Sequence, residues 1–400
     1  MTLIANAAAR RDAEWTAAQD EILSDAGLQA AGSAIRNWPN YQVTPLVELP
    51  TLAQRMGVAA LHLKDEGARF GLRSFKALGG AYAVACVLRR ELERQSGFPV
   101  PLAEITGGSM ADDVAAITVA CATDGNHGRS VAWGAQQFGC RAVIFIHETV
   151  SEGRAAEIAR FGAEVRRTKG DYDDSVRIAS ETAAAEGWFV VSDTSWPGYE
   201  DVPRDVMQGY ELMASEAFAA LTQPPTHIFV QTGVGGMAAA VAGLAKRRWG
   251  KARPVVVLAD PEGAACWAES FAMGMPQSAK GAVRTIQAGL ACGEISVLAW
   301  EVLKDHSDWV MTVQDGAAER MMRALARPEG GDPAIVAGES AVAGLCACLQ
   351  ATPAERAAIG LDSQSRVLAF VTEGDTDPAL YQKIVGVDAA TVLRGGVRAP

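Results

Sequence analysis

One rhythm governs this chain: a short β-branched run, a glycine-bearing turn, then an alanine-rich stretch of helical length. It recurs at Ala142–Glu148, with a helix starting near Ser151, and again at Trp188–Asp193, His227–Gly233, Pro254–Asp260 and Arg366–Gly374. Apolar strands separated by helices must be joined by crossovers, so they run parallel and are covered on both faces. The expected fold class is α/β, with two open, mostly parallel twisted sheets carrying helices on both faces. Sheets of this kind bind ligands beyond the C-terminal ends of their strands. Functional residues are therefore sought just after each strand.

A length of 400 residues suits two domains. Two prolines at Gln223–His227 mark a seam, and Ser96–Ser109, which has turn residues but no helical period, reads as a surface insertion. The expected division is 1–94 with 212–400 as a large domain, and 95–211 as a smaller inserted α/β domain. Asp and Glu number 47 against 36 Lys and Arg, a net charge of −11 with no basic run, which excludes nucleic acid and anionic membrane as natural partners. A small metabolite is the expected partner. The longest apolar run, Ile335–Leu349, is broken by Glu339 and Ser340, so no membrane span is expected, and the N-terminal residues lack the pattern of a signal peptide. Seven scattered cysteines without CxxC spacing point to reduced thiols in a cytoplasmic protein, with a pairing of Cys266 and Cys292 left open. Five histidines show no ligand spacing, and no metal site is expected.

Three segments could carry chemistry. Gly233-Val234-Gly235-Gly236-Met237-Ala238 follows a strand and opens a helix, which directs backbone N–H groups toward one spot and suits a phosphate. With Asp260 at the end of the next strand, it also fits a dinucleotide pattern, and a bare βα turn would look similar. In the second segment, the strand Leu61–Lys64 runs into a glycine-bearing loop, and Ser74-Phe75-Lys76 then opens a helix. The positive end of a helix disfavours an ammonium, and an unprotonated amine is what carbonyl chemistry needs, although a surface lysine is the plainer reading. The third is Thr123-Asp124-Gly125-Asn126-His127-Gly128-Arg129, where glycines let backbone approach a ligand closely. A helix cap explains one of its polar residues but not the cluster.

In order and spacing, these three segments resemble the fold-type-II pyridoxal-phosphate enzymes, the group of the threonine dehydratases and cysteine synthases, over about Tyr41 to Gly386. Asp124 within the third segment, Asp193-Thr194-Ser195-Trp196-Pro197-Gly198-Tyr199-Glu200, Phe75–Gly80 and Thr372-Glu373-Gly374-Asp375-Thr376-Asp377 narrow the resemblance to the diaminopropionate ammonia-lyase family. The resemblance implies pyridoxal 5'-phosphate as cofactor, held mainly by the large domain. Lys76 would bond to it, Phe75 would pack near its ring and Asn126 would meet its ring hydroxyl. Gly233, Val234, Gly235, Gly236 and Met237 would hold the phosphate, Thr372 would meet the pyridine nitrogen, and Gly289 and Glu339 would line the cofactor's face. It further implies a homodimer and a small amino-acid substrate.

Asp124 and Asp193 both end predicted strands, and two carboxylates in one cleft favour a substrate with a β-ammonium over one with a neutral hydroxyl. The expected reaction is α,β-elimination of 2,3-diaminopropionate to pyruvate and two ammonia. Lys76 on one face or Asp124 on the other would take the Cα proton, so that both D and L isomers react. A serine, threonine or glucosaminate ammonia-lyase is the neighbouring reading, and a nicotinamide dehydrogenase or a non-catalytic cofactor binder are the distant ones.

Overall fold

The structure is a computed structural model that describes residues 2–123, 125–148, 150–170 and 172–395. It contains two compact units: the first takes residues up to Leu23, Val43–Phe75 and from Met213 onward, and the second takes Ser24–Gln42 and Lys76–Leu212. In chain order the strands are β1 (Leu3–Ala5), β2 (Leu46–Glu48), β3 (Ala60–Asp65), β4 (Thr118–Ala122), β5 (Arg141–His147), β6 (Glu164–Thr168), β7 (Phe189–Val190), β8 (His227–Gln231), β9 (Val255–Pro261), β10 (Trp309–Val313) and β11 (Arg366–Val371).

The first unit is built on a seven-stranded sheet of order β1-β10-β9-β8-β11-β3-β2. Its five inner strands are mutually parallel, while β1 runs antiparallel to β10 and β2 antiparallel to β3 at the two edges. The central residues of the inner strands are apolar, as two covered faces require, and the polar ones cluster toward their ends: Ile228, Phe229, Val230, Val256, Val257 and Leu258 are wholly buried. Helices Asp315–Ala326 and Ala343–Gln350 supply much of the facing core through Met321, Met322, Leu325, Leu345 and Cys346.

The second unit has a four-stranded, all-parallel sheet of order β6-β5-β4-β7. Its helices Lys76–Ser96 and Asn126–Phe138 pack closely because small residues line the contact. A Cβ on Gly80 would fall 1.9 Å from Ser130 Oγ, and one on Gly134 would fall 2.8 Å from the Ala81 backbone. Trp38 adds edge-on contacts with Trp133 and Phe138. These contacts put Ser24–Gln42 and the whole helix from Lys76 in the smaller unit, whereas the expected division began that unit at residue 95. The stretch read as an insertion without helical period also contains a short helix, Leu102–Thr106, anchored by buried Ile105. Among the described residues no helix is long and apolar enough to cross a membrane.

Candidate active site

The candidate residues fall into two groups, one on each unit. In the second unit, Lys76 is the first residue of its helix, and its Nζ lies 2.5 Å from Asp193 Oδ2. Asp193 sits just past β7, at the strand end where the sequence pattern places functional residues. Burial alone would push its carboxyl up, but His127, the Lys76 cation and its hydrogen bond outweigh burial and hold it well below the usual carboxylate range. His127 Nδ1 is 3.8 Å from the same oxygen, yet burial lowers the imidazole's pKa despite Asp193. Its Nε2 lies 3.0 Å from the Val191 carbonyl, which accepts the ring proton. At neutral pH the ring is therefore uncharged and Lys76 is the cation beside Asp193, the imidazole adding its charge only in acid. Tyr210 presents its ring 5.8 Å from Nζ, and burial raises the phenol so that it stays protonated. Asn126 opens the helix Asn126–Phe138 two residues beyond Asp124, which lies outside the described residues.

In the first unit, the glycine loop joins β8 to the helix Gly236–Trp249. The helix N-cap is Gly235, at φ +100°, which carries no side chain to satisfy the N–H groups of the first turn. The loop is packed from behind: a Cβ on Gly235 would come 2.2 Å from the Trp267 ring, and one on Gly233 would come 3.0 Å from Cys292 Sγ. The result is a backbone cradle ending in free-facing donors of the kind a phosphate requires. At the end of β11, Thr372 Oγ1 accepts from Gln231 Nε2 at 2.9 Å. That bond leaves the threonine's own proton to donate, which suits an unprotonated pyridine nitrogen. Gln231 Oε1 is buried without a partner. Gly289 and Ser340 meet directly, the Gly289 N–H donating to Ser340 Oγ at 2.9 Å, with buried Glu339 beside them. Phe75 is buried and its N–H donates to the Thr372 carbonyl, fastening the residue before Lys76 to the end of β11. These donors and this cradle fit pyridoxal phosphate.

The structure adds residues that the sequence pattern did not single out. Trp267 is wholly buried and its indole N–H donates to the Gly233 carbonyl at 2.9 Å. Asp260 in turn accepts from the N–H groups of Trp267 and Ala268 and from Thr232 Oγ1. Asp260 is therefore committed inside the protein, which removes it as the ribose-binding acid of a dinucleotide site. Beneath the loop that leads to Lys76 lies a buried cluster of alternating charge. Glu216 bonds Lys64 at 2.6 Å and Arg69 at 2.7 Å, and Arg69 bonds Glu66 at 2.7 Å. The loop above it puts Phe70, Gly71 and Arg73 at positive φ, a conformation that costs non-glycine residues energy and so needs such an anchor. None of the seven cysteines is in a disulfide, Cys266 and Cys292 included. Among the described residues no three His, Cys, Asp or Glu side chains are placed to hold a metal ion.

Comparison with known proteins identifies the family. The family model described as pyridoxal-phosphate dependent enzyme matches residues 38–373. The diaminopropionate ammonia-lyase of Salmonella typhimurium is 38% identical over 361 residues, covering 87% of this chain and 89% of that protein. The crystal structure of the holo diaminopropionate ammonia lyase from Escherichia coli superimposes with a TM-score of 0.87 at 34% identity, over 96% of both chains. The same enzyme in complex with D-serine gives a TM-score of 0.86 at 33% identity, again over 96% of both. By family model, by sequence and by backbone, the chain belongs to the pyridoxal-phosphate dependent enzymes, in the group of the diaminopropionate ammonia-lyases.

Proposed function

We propose that this protein eliminates ammonia from 2,3-diaminopropionate, accepting both D and L isomers. With one water consumed, the products are pyruvate and two ammonia. The observation that carries the reading is the Asp193 carboxylate, ionised and in contact with the Lys76 amine. Bound pyridoxal phosphate supplies an electron sink for the bond broken at Cα. Lys76 would be the residue bonded to it, Gly233–Met237 would hold its phosphate, Asn126 its ring hydroxyl and Thr372 its ring nitrogen, with Phe75, Gly289 and Glu339 around the ring.

The chain's own residues divide the remaining work. A substrate β-ammonium would take the place beside Asp193 that Lys76 Nζ holds here, an ion pair that the hydroxyl of serine or threonine cannot make. Lys76, released from the cofactor as the unprotonated amine when the substrate's α-amine takes its place, would accept the Cα proton on one face. Asp124 is the proposed base for the other isomer. Asp193 keeps the leaving amine protonated as its bond to Cβ breaks. Thr372 would donate to the ring nitrogen rather than protonate it, which would favour prompt elimination over transamination.

The reading includes a cytoplasmic homodimer; cysteines held outside disulfides suit a reducing compartment, and sedimentation would test the dimer. The deciding experiment adds D- and then L-2,3-diaminopropionate to the purified holoenzyme while its visible band, pyruvate and ammonia are followed. Pyruvate and ammonia in a ratio of one to two with either isomer is the expected result. Response to D-serine, threonine or glucosaminate alone would overturn the substrate while keeping the cofactor.

A further inference from the structure

We infer that Tyr199 is a positioning residue that sets the Asp193 carboxylate against its cationic partner. β7 ends at Val190, so the chain that carries Asp193 leaves the sheet before reaching it. The next peptide groups are held one by one. The Val191 N–H donates to the Ala120 carbonyl of β4, and the Val191 carbonyl faces His127 Nε2. The groups on either side of Val191 are both claimed by a single oxygen: Tyr199 Oη donates to the Val190 carbonyl at 2.8 Å and accepts from the Ser192 N–H at 3.0 Å. Tyr199 thus substitutes for the neighbouring strand that this segment lacks. It does so two peptide units ahead of Asp193.

The tyrosine is itself fixed. Trp196 and Tyr199 pair their backbones around Pro197-Gly198, with Gly198 at φ +87°, the arrangement of a type II turn with proline then glycine at its corner. Their rings stack at 4.2 Å with 16° between planes. The turn therefore folds the ring back under the segment it came from. Burial keeps the phenol protonated, so it remains both donor and acceptor.

This inference rests on the reading that Asp193 holds the substrate's β-ammonium, and the test separates the two. The holoenzyme and its Tyr199→Phe variant are compared on D-2,3-diaminopropionate and on D-serine, which has no β-ammonium. Loss of the hydroxyl is expected to lower kcat/KM for diaminopropionate about tenfold more than for D-serine. In an Asp193→Asn background the same change should add nothing, because Tyr199 acts only through that carboxylate. Equal losses on both substrates, or full additivity with Asp193→Asn, would make Tyr199 a structural residue only and overturn the inference. A wild-type enzyme with no preference for diaminopropionate overturns the Asp193 reading itself, and this inference with it. Should Tyr199→Phe not fold, Trp196→Ala keeps the hydroxyl and removes the ring stacked on it. A smaller fall in the same selectivity is then expected, and an unchanged selectivity counts against the inference.

Discussion

Lys76 Nζ and Asp193 Oδ2 stand 2.5 Å apart although 117 positions separate them in sequence. Replacing Asp193 with Asn keeps the shape and removes the charge. Diaminopropionate turnover is expected to fall about 10²–10³-fold with the cofactor's visible band retained, as removal of a positioned acid–base group does elsewhere. Lys76→Ala should lose that band along with the activity. Absorbance spectra and single-turnover rates on the two variants check the pair.

Trp267 offers a test of the phosphate cradle that does not depend on catalysis. Trp267→Phe keeps an aromatic ring at the position, trims the part of the indole that packs against Gly235 and deletes the N–H that holds the Gly233 carbonyl. One lost buried hydrogen bond corresponds to roughly tenfold weaker binding of pyridoxal phosphate. Affinity for pyridoxal, which lacks the phosphate, should be unchanged. Reconstitution of the apoprotein with each compound measures both.

Asp260 should leave a mark on stability. Burial pushes its carboxyl up to about 8, against hydrogen bonds from Ala268, Thr232 and Trp267 that favour the charged form. An acid whose pKa is raised by folding gives stability that is present below its unfolded pKa and lost as pH rises through the folded one. Asp260→Asn does not titrate. The stability of the wild type relative to this variant is thus expected to decline between about pH 4 and about pH 8, as read from urea midpoints across that range.

Glu216 is expected to be the least replaceable charge of the buried cluster. It serves Lys64 and Arg69 at once, and all of these side chains are buried. Glu216→Gln leaves two cations short of a partner and should destabilise the protein by about 3–5 kcal/mol. Substituting Lys64 and Glu216 together by apolar residues of similar volume should recover part of that loss. Urea unfolding distinguishes the two cases.

Much of the architecture was legible because parallel strands buried on both faces write themselves as short β-branched runs before a glycine. β5, β8 and β9 were found that way within a residue or two at each end, and β11 with the right start and an end three residues too late. β6 was not, since Glu164-Val165-Arg166-Arg167-Thr168 is an edge strand whose outward residues are charged. β10 was not found either, although Gly316 follows it as closely as Gly374 follows β11, while β1 and β2 are three residues each and too short to show a period. At the site, Lys76, the glycine loop and Asp193 were visible as local motifs. Trp267, Gln231 and the Glu66–Arg69–Glu216–Lys64 cluster were not. Their meaning comes from partners that are distant in sequence, and an isolated Glu or Trp in a helix carries no sign of what it faces. Asp260 shows the converse: an acid after a strand matches the dinucleotide pattern, and only its burial reveals that its hydrogen bonds are already spent.

The antiparallel pairing of β1 with β10 has a consequence for handling the protein. Leu3–Ala5 lies along the outer edge of Trp309-Val310-Met311-Thr312-Val313, a run with the composition of an aggregation-prone segment. Three residues therefore act as a stopper on a surface that would otherwise recruit strands from other molecules. Trimming them, or tethering a bulky tag so that they cannot seat, should yield a protein that precipitates on concentration while its active-site chemistry remains intact.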